Sequence, residues 1–595
     1  MRKLCKWVCM EAEKALDEGY IPQIIFISPT AYGKTVLSPY FHAVLKEREL
    51  AYSHIHVMPT RALVENLFLK IMEGKDPRLL EGLRRAEIPK ERVYYQHMGF
   101  IRGYSEYKNP WFKPGFIIST ADSFFYTYFG IPVPEIDRKF FHSLIPFASL
   151  VSSSIVLDET HLLVEKELQP AFLALLKLMT CRARPFLFIS ATVPNTFLDL
   201  LLKGHEPALR LPSKVRRIVV SYGEEEDVTH SSENYVKIIG RDEAFERSQD
   251  VEWKTEIIAR KELEDRVLSE VESGKSVLIV RNKVAWTYET WERLSGLLEK
   301  RGIPVFFLTS KMTFDERYEQ TRRLREMSVD GKVKEGVLVA TSCVEVGLDL
   351  SFGSLFSDAA PLPPLIQRAG RVARRGEKEG QVFILEPEKD EKGNVKSRPY
   401  RKVEFEASWK KLRRAVIKES EMEWRLPTRS DVENVYNLLE QVYSLDDVKK
   451  EYLGGLVGGT HRRHGKYSSL LRIALDLDKT SKHLRKLQRD YSDIVRDMPL
   501  LTIVVADETI ESLLTRDDIT IRELWGRSFC ISKKEEHNVY KIASHSKVQA
   551  VKLDFTHVGN TTYVKFSKVS LGSSAKDAIV ISRSVYKLIK RGWRD

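Results

Sequence analysis

The feature that most constrains this chain is a rhythm. Through roughly its first 400 residues, short runs of β-branched and aromatic residues alternate with longer amphipathic stretches, the pattern of parallel α/β units. Strands are expected at IIFIS (24–28), HIHVM (54–58), GFIIST (115–120), SSIVLD (153–158) and PFLFIS (185–190), each ending where a polar motif begins. In open parallel sheets ligands bind just beyond the carboxyl ends of the strands. A second set, SVLIV (276–280), PVFFLT (304–309), GVLVAT (336–341) and QVFILE (381–386), repeats the pattern, so two sheet domains are expected.

At 595 residues the chain is too long for one hydrophobic core and has room for about three to four domains. Residues 205–262, with the acidic run Glu224 to Asp227, show little periodicity and read as a solvated linker with a few strands. Residues 403–447 read as helices, GGLVGG (454–459) as a hinge, and TIVVADE, QAVKLDF, TTYVKFSKVS and AIVIS as a small β-containing region. The expected division is 1–210 for the first sheet domain and 211–390 for a linker and the second. A helical linker at 391–455 and a C-terminal accessory domain at 456–595 complete it.

A 43% hydrophobic content with 30% charged residues describes a folded protein, and no apolar run is long enough to span a bilayer. The acidic residues of MRKLCKWVCMEAEKALDEGY do not suit a signal peptide, so a cytoplasmic location with no membrane partner is expected. The five cysteines are scattered, which points to neither a zinc cluster nor a disulfide framework. The net charge of +12 favours a polyanionic partner.

After the first strand, Ser28, Pro29, Thr30, Ala31, Tyr32, Gly33, Lys34 and Thr35 nearly match a P-loop, with Ser28 where Gly or Ala is usual. Such a loop aims backbone N–H groups at phosphates, Lys34 neutralises them, and Thr35 offers magnesium a hydroxyl. The alternative is a surface turn. Asp158 and Glu159 of DETH leave an apolar run, where the first carboxylate would hold magnesium and the second polarise the attacking water. A helix start is the competing reading, since Asp is a good N-cap. In the basic stretch Gln367 to Arg375, Arg371 and Arg374 are three apart; on a helix they would share one face and could reach one phosphate. A solvated basic helix is the bland alternative.

Taken in order, SPTAYGKT, MPTRALVEN, ISTADSF, DETH, SAT, TSCVEVGLDL and QRAGRVARR resemble the motif series of superfamily-two DExH helicases over about residues 20–385. The resemblance implies two tandem RecA-like parallel-sheet domains that close on ATP and Mg2+. Thr30 to Thr35, Asp158 and Glu159 would serve the nucleotide from the first domain, and Gly347, Asp349, Gln367, Arg371 and Arg374 would face it from the second, with Thr35 and Asp158 holding the metal. Ser190 and Thr192 would couple hydrolysis to movement. Pro59, Thr60, Arg61, Ser119, Thr120, Asp122 and Thr341 would hold nucleic acid by its phosphates, without reading bases.

PTRALVEN, SCVEVGLDLSF and LIQRAGRVARRG look, more narrowly, like the CRISPR-associated type I helicase. Its implied substrate is single-stranded DNA, the displaced strand of an R-loop marked by a surveillance complex with guide RNA. That family often carries an HD nuclease domain, yet none of the 14 histidines here is followed by Asp and about 22 residues precede the first strand. The expected form is therefore the stand-alone motor with a separate HD nuclease subunit. His461, His464, His483, His537, His545 and His557 form no compact ligand pattern, and Arg462, Arg463, Lys466 and Tyr467 could hold a strand or simply be solvated. Another DExH helicase in repair or RNA handling, or a non-hydrolysing adaptor, remains the alternative.

Overall fold

The computed structural model describes residues 1–129, 144–163, 169–191, 193–196, 198, 214–224, 227–232, 234–345, 347–453, 500–532, 535–542, 547–558, 561–571, 576 and 578–591. These form two compact units: one of residues 1–252, 361–370 and 401–497, the other of residues 253–360, 371–400 and 498–595. Thr192, the 454–459 segment, Arg462, Arg463, Lys466, Tyr467, His461, His464, His483 and His545 lie outside the described residues.

The first unit is built on nine strands: β1 (Ile21–Ile27), β2 (Ser53–Met58), β3 (Val93–Gln96), β4 (Phe116–Thr120), β5 (Ser153–Leu157), β6 (Phe186–Ser190), β7 (Val215–Tyr222), β8 (Asp227–Ser232) and β9 (Tyr235–Gly240). Their order is β3-β4-β2-β5-β6-β1-β7-β9-β8, parallel except for β8. Both faces are covered, as parallel sheets require. Ile24 and Phe26 of β1 enter one core with Leu37, Phe41 and Phe68, while Ile25 enters the other with Ile55, Phe124 and Phe172.

The expected strands 24–28, 54–58, 115–120, 153–158 and 185–190 are all present within a few residues. Residues 215–240 differ from the linker reading: β7 pairs along the whole of β1, and β9 along β7, so they extend the first sheet. Arg217 hid β7 from view. It is buried because its guanidinium donates to Gln23 Oε1 at 2.8 Å and Thr180 Oγ1 at 2.9 Å. The helices Lys402–Lys418, Val435–Tyr443 and Asp446–Leu453 follow the expected helical region and belong to this unit.

The second unit has a six-stranded sheet and two small appendages. Its strands are β10 (Glu252–Ile258), β11 (Val277–Val280), β12 (Val305–Leu308), the β13–β14 hairpin (Ser328–Val329, Lys332–Val333), β15 (Val337–Ala340), β16 (Ser354–Asp358) and β17 (Glu379–Leu385). The sheet order is β10-β17-β16-β11-β15-β12, parallel from β17 to β12. Leu500–Ala506, Ser528–Ser532, Val548–Val558, Thr561–Val569 and Ala578–Ser582 form a small mixed sheet. It is moored through the helix Arg583–Lys590, where Tyr586 Oη accepts from Thr313 N at 3.0 Å and donates to Glu316.

The added strands seat the N-terminal helix Lys3–Asp17, whose Trp7 ring lies against Gly240 of β9, where a Cβ would fall 2.3 Å from it. Gly240→Ala is expected to cost about 1–3 kcal/mol through this overlap. A thermal melt of the variant beside the parent measures it.

Candidate functional site

The loop after β1, the DETH segment and the segments after β2 and β4 each leave the carboxyl end of a strand in the first unit's sheet. After β1 the chain passes through left-handed backbone at Ala31 (φ 64°) and Gly33 (φ 83°) before a short 3-10 turn and the helix Leu37–Glu47. Alternating left-handed residues turn successive N–H groups inward, the anion-binding form of such loops. Ser28 N donates to Ser190 O at 3.1 Å, which ties the start of this loop to the end of β6.

Tyr32 contributes only its backbone to that concavity. Its ring is buried, its hydroxyl donates to Asp242 Oδ2 at 2.8 Å and accepts from Leu4 N at 3.1 Å, so the side chain braces the loop. Lys34 is 6% exposed and its ammonium donates to the carbonyls of Ser28 and Pro29, each at 2.9 Å.

Asp158 follows β5 and is buried beside the loop. Thr35 Oγ1 donates to its Oδ2 at 3.0 Å, and Glu159 N donates to its Oδ1 at 2.9 Å. Burial opposes the charge, but the His56 imidazole at 3.4 Å, the Lys34 ammonium and the Thr35 hydroxyl outweigh it and hold Asp158 below the usual carboxylate range. Glu159 takes left-handed backbone (φ 50°) between the strand and the helix Thr160–Leu163, so DETH is a strand end first and a helix start second. The DETH histidine, His161, bonds Ser190 Oγ through Nδ1 at 3.0 Å and joins the carboxylate loop to the end of β6. Burial, with Lys34 adding to it, pulls His161 down to about 3, so it is neutral.

Gln367 lies buried on the helix Leu362–Ala369, which belongs to this same unit, and its Nε2 has no partner. At the end of that helix, a Cβ on Gly370 would lie 3.1 Å from Thr30 Oγ1.

The motifs expected to meet nucleic acid leave two neighbouring strands, β2 and β4, paired to their last residues (Met58 with Thr120). Thr60 caps the helix Arg61–Met72 by accepting from Leu63 N at 3.4 Å, and Arg61 pairs with Glu65. Pro59, Thr60 and Arg61 are half-buried. Thr120 precedes the helix Ala121–Tyr128, which carries Asp122. The hydroxyls of Ser119 and Thr120 are turned inward, to Thr120 O at 3.0 Å and Ser123 Oγ at 3.1 Å. What this end offers a phosphate is the N–H groups of two adjacent helix starts.

In the second unit, Thr341 opens a 3-10 turn after β15 and Gly347 is left-handed (φ 91°). Arg371 donates to the carbonyls of Leu348, at 2.6 Å, and Glu345, while Asp349 Oδ1 pairs with Arg374 at 3.2 Å and Arg375 at 2.8 Å. The shared helical face for Arg371 and Arg374 is not found. The helix ends at Ala369, Gly370 is its C-cap, and Val372 bridges Phe352 instead of continuing the turn. Both arginines nonetheless converge on one loop, residues 345–349.

Residues 11–200 match the family model described as DEAD/DEAH box helicase, and residues 273–377 that described as CRISPR-associated nuclease/helicase Cas3, C-terminal. In these two segments the chain is similar to DEAD/DEAH-box helicases and to the C-terminal part of the Cas3 nuclease/helicase. It resembles the CRISPR-associated helicase Cas3 of Thermoproteus tenax, 27% identical over 380 residues that cover 62% of this chain and 56% of the relative. It also resembles a putative CRISPR-associated nuclease/helicase Cas3 of Methanocaldococcus jannaschii, 26% identical over 271 residues, 45% of this chain and 32% of the relative. The chain thus matches about half or less of the length of these curated relatives. Among solved structures, T. fusca Cas3 covers 96% of this chain and 67% of its own length at a TM-score of 0.63 and 16% identity, a likeness of fold. A chain of a CRISPR RNA-guided surveillance complex, pre-nicking, gives 0.57 at 14% identity, covering 97% of this chain and 66% of that one. Among the described residues no helix is long and apolar enough to cross a membrane.

Besides DETH, the sequence held another histidine of this site in plain view. His42 lies behind it on the helix Leu37–Glu47, and burial, reinforced by Lys46, pulls it down to about 4 from 6.5. Below pH 6.5 the unfolded chain takes up a proton that folded His42 refuses, so stability falls from about pH 6.5 down to about pH 4. By pH 5 the loss amounts to about 2 kcal/mol for this residue. Denaturant midpoints at pH 7 and pH 5 should show the drop, and His42→Gln should show a smaller one.

Proposed function

We propose that this chain is an ATP-driven translocase on single-stranded DNA in a type I CRISPR interference system, working on the displaced strand of an R-loop. The observation that carries the ATP reading is the 3.0 Å hydrogen bond between Thr35 Oγ1 and Asp158 Oδ2, a hydroxyl and a carboxylate brought together from two different strand ends. That donor set is hard oxygen, which suits magnesium. The buried hydroxyls of Ser28 and Thr30 have no partner, as a loop awaiting phosphate oxygens would leave them.

Thr35 and Asp158 would hold Mg2+, which would supply positive charge to offset that of the phosphates. Lys34 binds the phosphates by exchanging its loop carbonyls for them. Glu159 orients the attacking water, with its carboxylate as the proton acceptor. By resemblance, Gly347, Asp349, Gln367, Arg371 and Arg374 complete the nucleotide site, and Ser190 with Thr192 relays its state. Pro59, Thr60, Arg61, Ser119, Thr120 and Thr341 hold the DNA backbone, chiefly through helix-start N–H groups. The presence of Lys34, Asp158, Glu159, Arg371 and Arg374 together argues against an adaptor that does not hydrolyse ATP.

The CRISPR assignment rests on the Cas3-type match at 273–377 and on the relatives' names. It makes the surveillance complex with its guide RNA the partner. A separate HD nuclease subunit is the second partner we assign.

ATP turnover should require Mg2+, rise with single-stranded DNA, and fall by on the order of 100-fold or more in Lys34→Ala and Glu159→Gln. Full turnover in either variant would sink the site assignment. Arg371→Ala should bind single-stranded DNA as the parent does while losing hydrolysis by at least about 1,000-fold, read by fluorescence anisotropy beside a phosphate-release assay.

A further inference from the structure

Behind Asp158 runs a chain of buried polar side chains that no ATP-site motif includes. His54 and His56, two apart on β2, face the same side of the sheet, as the period of a strand dictates. Ser38 and His42, four apart on the helix Leu37–Glu47, share the helix face turned toward them. Ser154 lies directly across from His54 in the β2–β5 register. All five side chains are fully buried.

Four hydrogen bonds join the five side chains. His42 Nδ1 lies 2.9 Å from Ser154 Oγ, which is 2.7 Å from His54 Nδ1. His54 Nε2 is 2.7 Å from Ser38 Oγ, which is 2.7 Å from His56 Nδ1. His56 Nε2 then faces Asp158 Oδ2 at 3.4 Å, an ion-pair distance without the alignment of a hydrogen bond. His42 Nε2, at the far end, has no partner.

A neutral imidazole has one donor and one acceptor, and a serine hydroxyl has a single proton to give. With each imidazole holding one proton, such a chain has only two self-consistent directions. If the protons pointed away from Asp158, His56 would turn a bare nitrogen lone pair on a buried carboxylate. The carboxylate selects the other direction. His56 Nε2–H faces Asp158, Ser38 Oγ–H donates to His56 Nδ1, His54 Nε2–H donates to Ser38, Ser154 Oγ–H donates to His54 Nδ1, and His42 Nδ1–H donates to Ser154. The unpartnered His42 Nε2 is then the acceptor left over at the end, as the count requires.

We propose that His56 is a positioning residue for the magnesium carboxylate, its tautomer fixed by the Ser38–His54–Ser154–His42 chain so that Nε2–H always faces Asp158 Oδ2. The proposal rests on the reading of Thr35 and Asp158 as metal ligands. The chain leaves Oδ2 two protein-side neighbours, Thr35 and His56, and it anchors the carboxylate to β2 and to the P-loop helix at once. Partners of metal ligands set metal affinity by about 10- to 100-fold.

The test measures the affinity of the full chain for a fluorescent non-hydrolysable ATP analogue, once in EDTA and once in Mg2+. The quantity read is the gain that magnesium brings. Asp158→Asn checks the underlying reading: a parent without a gain, or an Asp158→Asn protein that keeps it, removes the ligand assignment and the proposal with it. With that reading intact, His56→Leu should lose about tenfold or more of the gain while its EDTA affinity matches the parent. Ser38→Ala, which frees the tautomer without touching Asp158, should lose a smaller part. His56→Gln, whose amide can still donate, should recover most of it. A parental gain in His56→Leu overturns the proposal, as does an equal loss in EDTA. If His56→Leu does not fold, a parental gain in Ser38→Ala overturns it just as well.

Discussion

One buried charge organises the ligand-facing end of the first unit. Asp158 is 2% exposed, and burial alone would favour its protonated form. It stays a carboxylate because other strands bring donors and positive charge to it: β1 leads into the loop of Lys34 and Thr35, and β2 carries His56. The strand order makes this possible. With β5 between β2 and β6, and β1 next beyond, groups distant in sequence end within reach of one oxygen pair. A one-residue slip of β5 would turn the carboxylate to the opposite face of the sheet, so strand register and site chemistry are fixed together.

The same strand order separates the two groups of proposed contacts on one edge. The loop of Lys34 and the carboxylates of DETH lie at the ends of β1 and β5, and the two adjacent helix starts follow β2 and β4. β2 has a part in both, since His56 faces Asp158 and Thr60, four residues on, caps a helix. A shift of β2 along the sheet would be felt on both sides.

The sequence made much of this readable because parallel strands buried on both faces are near-continuous apolar runs, and each stops at a motif. IIFIS, SSIVLD and PFLFIS announced themselves and the residues beyond them. VRRIVVSY did not, because two arginines interrupt it and only the fold reveals Gln23 and Thr180 waiting for one of them. β3, four residues of VYYQ at the sheet's edge, was too short to notice. The arginines after Gly370 misled for a different reason. Their spacing is helical, but a bridge between Phe352 and Val372 overrides local preference. The histidine chain was hidden because its five members come from three segments, and none of their spacings signals chemistry until β2 and β5 are paired.

Lys34 gives the resting loop a character of its own. Its ammonium donates to the carbonyls of Ser28 and Pro29, within the loop itself. Lys34 is thus held by a contact internal to its own loop. Binding strength is then the difference between two satisfied states of one cation, and only a ligand with enough negative charge to outbid two carbonyl oxygens opens the contact. On the proposed reading, a single lysine would act as a threshold that favours polyphosphate before any base or sugar is felt.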